Sequence, residues 1–111
     1  RISSVDLCAV LANQLDNALE ASLKLPQESE RFVKVIVEQR NNFLSFRVEN
    51  RVAQNPFDAR GHLASTKKGD PSLHGLGLKN IQDTVEKHMG TLQNLCRNNV
   101  FVSFAVMQNT V

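Results

Sequence analysis

A two-layer α/β (α+β) sandwich, with helices on one face of a mixed, mainly antiparallel sheet, is the fold class this sequence predicts. Three observations carry the prediction. Two long stretches repeat apolar residues at helical spacing, and four short ones alternate apolar with polar residues. The elements come in the order helix, hairpin, long aperiodic segment, helix, hairpin. Strands joined by tight turns pair antiparallel, and each amphipathic helix must bury one stripe, so both helices are expected on the same face.

The first helix is expected over 5–25, capped by Ser4 and stopped by Pro26. Its residues Leu7, Leu11, Leu15, Ala18 and Leu19 form an apolar arc expected to meet the sheet. Residues 31–40, RFVKVIVEQR, place Val33, Val35 and Val37 on one strand face. Residues 43–50, FLSFRVEN, place Leu44, Phe46 and Val48 on one face, with Asn50 continuing it. Asn41 and Asn42 between them suit a tight turn, because Asn tolerates positive φ. Over 51–73 periodicity disappears, and prolines, glycines and a Ser-Thr-Lys-Lys run replace it, so this stretch reads as a long lid-like loop. A second helix is expected over 76–89, with Leu78, Ile81, Val85 and Met89 on one face and Gly90 as its stop. Strands near 91–96 and 100–107 close the chain through Arg97, Asn98 and Asn99, with Val100, Val102, Phe104 and Val106 expected to face the core.

At 111 residues the chain is one domain, 1–111, with room for a single core. Its first residues read straight into a helix, as expected of a domain cut from a longer polypeptide. A net charge of +2, with only Lys67 and Lys68 adjacent among the basic residues, gives no stripe for nucleic acid. No apolar run approaches the ~20 residues of a membrane span, so no direct membrane contact is expected from this segment. Cys8 and Cys96 are far apart in unrelated contexts, which favours a reduced, cytoplasmic setting. His62, His74 and His88 share no ligand spacing with either cysteine.

Two constellations are chemically informative. On the first helix Asp6, Asn13, Asp16, Asn17 and Glu20 gather away from the leucines. A solvated face would explain such a stripe, but solvated faces favour long helix formers, and Asn and Asp are poor ones. Short oxygen-bearing side chains at this spacing can instead converge on Mg²⁺, which takes one or two protein oxygens plus substrate phosphates. The second constellation is Leu73-His74-Gly75-Leu76-Gly77-Leu78-Lys79-Asn80, with two glycines where the loop is expected to become a helix. A helix N-terminus offers unpaired N–H groups to an anion, and missing Cβ atoms let phosphate approach; a tight turn with close packing is the competing explanation. The spacing matches neither the dinucleotide fingerprint nor a Walker loop.

NQLDNALEA and HGLGLKN resemble the N box and G2 box of the GHKL superfamily, which includes DNA gyrase, heat-shock chaperones, histidine kinases and mismatch-repair ATPases. The order of boxes fits from about residue 4 to the end, and STKKGDPSLHGLGLKNI is most similar to sensor histidine kinases, nearest the peptide-sensing, quorum-type group. The resemblance implies a Bergerat-type fold binding ATP and Mg²⁺, with 51–73 as the ATP lid. Asn17 then corresponds to the asparagine that holds Mg²⁺ against the triphosphate, with Asp16 and Glu20 supporting it from outside the ligand shell. Asn13 sits where hydrolysing relatives carry a glutamate base. Gly75 and Gly77 match the phosphate-approaching glycines; His74, Leu76, Leu78 and Lys79 lie nearby, and Lys67 and Lys68 could screen phosphate charge. The D-x-G-x-G box is altered: Val48-Glu49-Asn50-Arg51-Val52-Ala53 has neither aspartate nor glycine, leaving Asn50 to accept from the adenine amino group.

The implied activity is transfer of the ATP γ-phosphoryl group to a histidine on a dimerisation domain absent from this chain, within a membrane-anchored two-component sensor that signals to a response regulator. His62, His74 and His88 are poor candidates for the acceptor. The alternatives are a degenerate nucleotide-binding regulatory module without kinase activity and a serine-directed anti-sigma kinase of the same fold.

Overall fold

The computed structural model describes residues 2–55 and 71–109, and for 71–77 the backbone alone. Helix α1 spans Ser4–Leu23, followed by a single 3-10 turn at Glu28–Glu30. Strands β1 (Val33–Arg40) and β2 (Phe43–Arg51) precede helix α2 (Pro71–Lys87), and β3 (Thr91–Arg97) and β4 (Val100–Gln108) follow it. The sheet order is β1-β2-β4-β3, and every neighbouring pair is antiparallel. β2 and β3 run in the same direction across α2, but β4 lies between them. The described sheet is therefore antiparallel throughout instead of mixed. Both helices lie on one face, α1 over β2 and α2 over β3 and β4, and they pack against each other.

Local chemistry sets the ends of these elements. The α1 cap is Ser3, one residue before the expected Ser4: its backbone is extended and its Oγ accepts from the Asp6 N–H at 3.1 Å. Asn41 takes φ 54 in the first hairpin turn, and Asn98 and Asn99 take φ 55 and 61 in the second. Both second-turn angles are positive, the condition for the type I′ connection that matches strand twist. Helix α2 begins at Pro71, where a fixed φ and missing N–H suit a first turn, so 71–73 are helical and not loop. Arg51 belongs to β2. Of the expected 51–73 loop, 56–70 lie outside the described residues.

The helix–sheet interface departs from the expected faces in two places. The buried stripe of α1 is Val10, Gln14, Ala18 and Ser22, spaced by four. Leu7 and Leu11 pack against the edge of the core, whereas Leu15 is half-buried and Leu19 is 50% exposed. Small residues at 18 and 22 let the helix backbone approach the strands, so the leucines flank the contact. In β4 the register places Phe101, Ser103, Ala105 and Met107 opposite the inward residues Asn50, Val48, Phe46 and Leu44 of β2. Val100, Val102, Phe104 and Val106 therefore line the opposite face. Both alternations of this strand are apolar enough to be core, so period alone did not choose between them, and the small Ser103 and Ala105 lie under the helices. The core joins Ile2, Val10, Phe46, Ile81, Val85, Ala105 and Met107. Val35 and Val37 share the helix-side face by register yet are 42% and 53% exposed, because α1 sits over β2 and only grazes β1.

The C-terminus of α2 is closed by Gly90 N–H to Val85 O at 2.9 Å and Met89 N–H to Glu86 O at 3.0 Å, with Met89 at φ 57. This is the Schellman arrangement with methionine, not glycine, in the left-handed position. Met89 is consequently 75% exposed and not on the core face. Gly90 serves a different purpose: a Cβ there would lie 1.8 Å from the Val106 carbonyl oxygen. The last turn is also tied to α1, since His88 Nε2 lies 2.7 Å and Lys87 Nζ 3.1 Å from Asp6 Oδ2. The acid is in the first turn of α1 and the bases at the end of α2, so both helix dipoles favour the cluster.

Two outcomes follow from these contacts. Gly90→Ala should destabilise the fold by about 3 kcal/mol, because backbone must move to admit the methyl group; a urea midpoint unchanged from wild type would contradict the close approach. Hydrogen bonds from His88 and then Lys87 hold the Asp6 carboxyl below its ordinary value of 3.8. That contribution is present above the unfolded value and is lost as pH falls through the lower folded one. Asp6→Asn should therefore be less stable than wild type at pH 7, with the gap closing below pH ~4 in acid-unfolding curves.

Candidate functional site

A cavity of ≈ 120 Å³ opens between the C-terminal half of α1, the central strands and α2. It exists because the α1 residues above it, Ala18 and Ala21, are too small to fill the space over β2 and β4. Val48, Val52, Leu78 and Phe101 complete a largely apolar wall, and Gln14, Asn17, Asn50 and Ser103 supply the polar groups. An apolar slot with a few placed polar groups is the usual form of a small-molecule site.

Each polar group is held differently. Asn50 is 2% exposed, and its Nδ2 donates to the Arg51 carbonyl at 3.2 Å, so the carboxamide oxygen is its remaining polar atom. The chain beyond β2 is kept in place by Val52 N–H to Asn99 O at 2.8 Å. Asn17 is half-buried and lines the cavity from α1. Gln14 is 2% exposed and reaches both central strands: its Nε2 lies 3.3 Å from the Phe46 carbonyl, 3.3 Å from the Ser103 carbonyl and 3.1 Å from Ser103 Oγ.

Of the residues singled out in the sequence, the structure brings Asn17, Asn50 and Leu78 to this cavity. Asn13, Asp16 and Glu20 do not line it. Asn13 turns its Nδ2 back to the Ala9 carbonyl of its own helix at 2.6 Å, and Asp16 is exposed. Lys67 and Lys68 lie outside the described residues, as do the side chains of His74 and Leu76. Gly75 and Gly77 are not at the start of a helix, because α2 begins at Pro71 and carries both within it. The reason is Pro71 itself, a helix-start signal that outweighs the ~1 kcal/mol each interior glycine costs relative to alanine. Their main-chain N–H groups are inside the helical segment, with Leu78 of the same helix at the cavity wall.

Gln14, Ser103 and Phe101 were not expected at the site. A signal existed for Gln14, a polar residue four places from Val10 and from Ala18, but the leucine arc pointed to a different stripe. Among the described residues no group of three His, Cys, Asp or Glu side chains could hold a metal ion, and no helix is long and apolar enough to cross a membrane. Both cysteines are free; Cys8 is exposed, and burial pushes the Cys96 thiol up against the opposing effect of an Asn99 backbone hydrogen bond.

Comparisons with known proteins bear on the family and the fold. The profile of the GHKL domain family matches residues 2–108. Among solved structures, the chain is similar to the catalytic domain of the histidine kinase ThkA in a nucleotide-free form, with TM-score 0.72 and 21% identity over 98% of this chain and 70% of that one. No curated protein matches the sequence.

Proposed function

Because this chain belongs to the GHKL domain family, we propose that the cavity between α1 and the sheet seats the base of ATP and that the domain donates the γ-phosphoryl group to a histidine on a separate dimerisation domain of the same kinase. The observation that supports this best is the meeting of Asn17, Asn50 and Leu78, from three elements distant in sequence, around one apolar slot. A planar base fits between walls such as Val48, Val52 and Phe101, with the Asn50 oxygen as an acceptor for its amino group. Asn17, at the cavity's α1 side, is placed to offer an amide oxygen to Mg²⁺, which would neutralise charge on the phosphates. Asp16 and Glu20, a residue before and three after Asn17, could act on that ion's waters. Gly75 and Gly77 carry no Cβ atoms, so phosphate oxygens can come close to main chain at these positions beside Leu78.

Phosphoryl transfer requires positioning and charge neutralisation more than covalent help from the protein. Asn13 has no carboxylate to activate water, and its amide is engaged with the Ala9 carbonyl. The domain is thus suited to holding ATP for an external acceptor and not to hydrolysing it. Neither His62 nor His74 is in the described part of the site, and His88 is committed to Asp6. In this reading the chain is the cytoplasmic catalytic part of a two-component sensor, with a response regulator downstream. A second reading, a nucleotide-binding module without kinase activity, draws on Asn50 standing where the family carries an aspartate. Transfer of label from γ-labelled ATP to a histidine domain supplied in trans distinguishes the two.

Calorimetric titration with MgATP tests the binding step. Asn17→Ala should weaken binding on the order of 10- to 100-fold, as expected for a lost contact to charged groups, with an unchanged circular dichroism spectrum. Affinity equal to wild type would remove Asn17 from the site. Gly77→Ala should separate stability from function: the interior alanine should raise stability by up to ~1 kcal/mol while nucleotide affinity falls. A variant both more stable and equally tight would show that phosphate does not meet the backbone there.

A further inference from the structure

We propose that Gln14 reads the base: its Oε1 accepts a hydrogen bond from the exocyclic amino group of a purine seated in the cavity. The inference rests on the nucleotide reading of that cavity and assigns specificity within it to a residue outside the N-box asparagines. Gln14 is nearly inaccessible, and its amide is oriented by its nitrogen, which sits against two carbonyls and a hydroxyl of β2 and β4. Two of the neighbours are carbonyl oxygens, which only accept, so the end of the amide that faces them is the nitrogen. The other end, Oε1, is buried and has no partner among the described residues.

A buried amide oxygen without a donor is costly, and an apolar side chain of similar size would avoid that cost entirely. Gln14 lines the cavity, whose other polar residues are Asn17, Asn50 and Ser103 among largely apolar walls. An occupant carrying an N–H group supplies the missing donor. Ser103 strengthens the match: its Oγ accepts from Gln14, so its hydroxyl proton is available to a ligand acceptor. The cavity floor therefore offers an acceptor beside a donor. Adenine presents the complement, an amino donor next to a ring-nitrogen acceptor. Asn50 contributes from β2, so the neutral amides of Gln14 and Asn50 together do what a single carboxylate would otherwise do.

The test compares MgATP with the magnesium complex of purine riboside triphosphate, which lacks only the 6-amino group, by calorimetry on the whole chain. Wild type should prefer ATP at least ~10-fold, the size of one well-formed buried hydrogen bond. In Gln14→Leu and Gln14→Met the preference should fall by about 10-fold, one hydrogen bond's worth, through weaker ATP binding, with the analogue bound as in wild type. A variant that keeps the wild-type preference, or a wild type that binds both compounds alike, overturns the role of Gln14. A wild type that binds neither refutes the nucleotide reading itself, which is a distinct result. Should neither variant fold, the Gln14 side-chain amide resonances of wild type decide: a shift with ATP and not with the analogue supports the hydrogen bond, and equal shifts overturn it.

Discussion

Helix α1 must seat its four-spaced stripe on β2 and β4, and most features of the molecule follow from how that contact is made. At its N-terminal half Val10 fills the interface, and Leu7 and Leu11 add to the core on either side. At its C-terminal half the stripe changes to Gln14, Ala18 and Ser22, and the density of apolar packing falls. The helix remains in place there because Gln14 hydrogen-bonds both central strands. The same contact that holds α1 down thus leaves an opening beneath it. A leucine at position 18 would close the cavity and give a better-packed domain without a site.

The second helix is fixed against this framework from its far end. Asp6, Lys87 and His88 join the first turn of α1 to the last turn of α2, and Gly90 allows the chain to pass against Val106 into β3. Ile81 and Val85 are fully buried in the middle. Anchoring of α2 thus includes Ile81, Val85 and its last turn, while Leu78, earlier in the helix, lines the cavity. Within one helix, Ile81 and Val85 serve the core and Leu78, one turn earlier, serves the cavity wall.

Much of this was legible in the sequence where one physical rule acted alone. Alternation in FLSFRVEN identified the inward face of β2 and carried Asn50 to its buried position. Asparagine at 41, 98 and 99 marked turns because few residues accept positive φ. Legibility failed where two rules competed. VFVSFAVM is apolar on both faces, and its inward side was chosen by the small residues that helices can approach, a tertiary requirement invisible to period. The leucines of α1 likewise suggested the stripe by hydrophobicity, whereas Ala18 and Ser22 won it by size. Pro71 was a helix start in plain view, but the glycines four and six places later drew the boundary downstream.

The candidate site was readable to the extent that its residues are wrong for their local structure. Asn17 stands out because asparagine is a poor helix former, and Asn50 because it ends a run of inward apolar residues. Gln14 is different: glutamine is a good helix former, and nothing local marks it as unusual. Its peculiarity appears only after folding, when its nitrogen is satisfied by strands 32 and 89 residues away and its oxygen is left unpaired. Local propensity can reveal a residue placed against its preference, but it is silent on one whose cost arises wholly from burial. For that reason Asn17 and Asn50 stand out in the sequence, and Gln14 becomes visible only from the hydrogen-bond account of the folded chain.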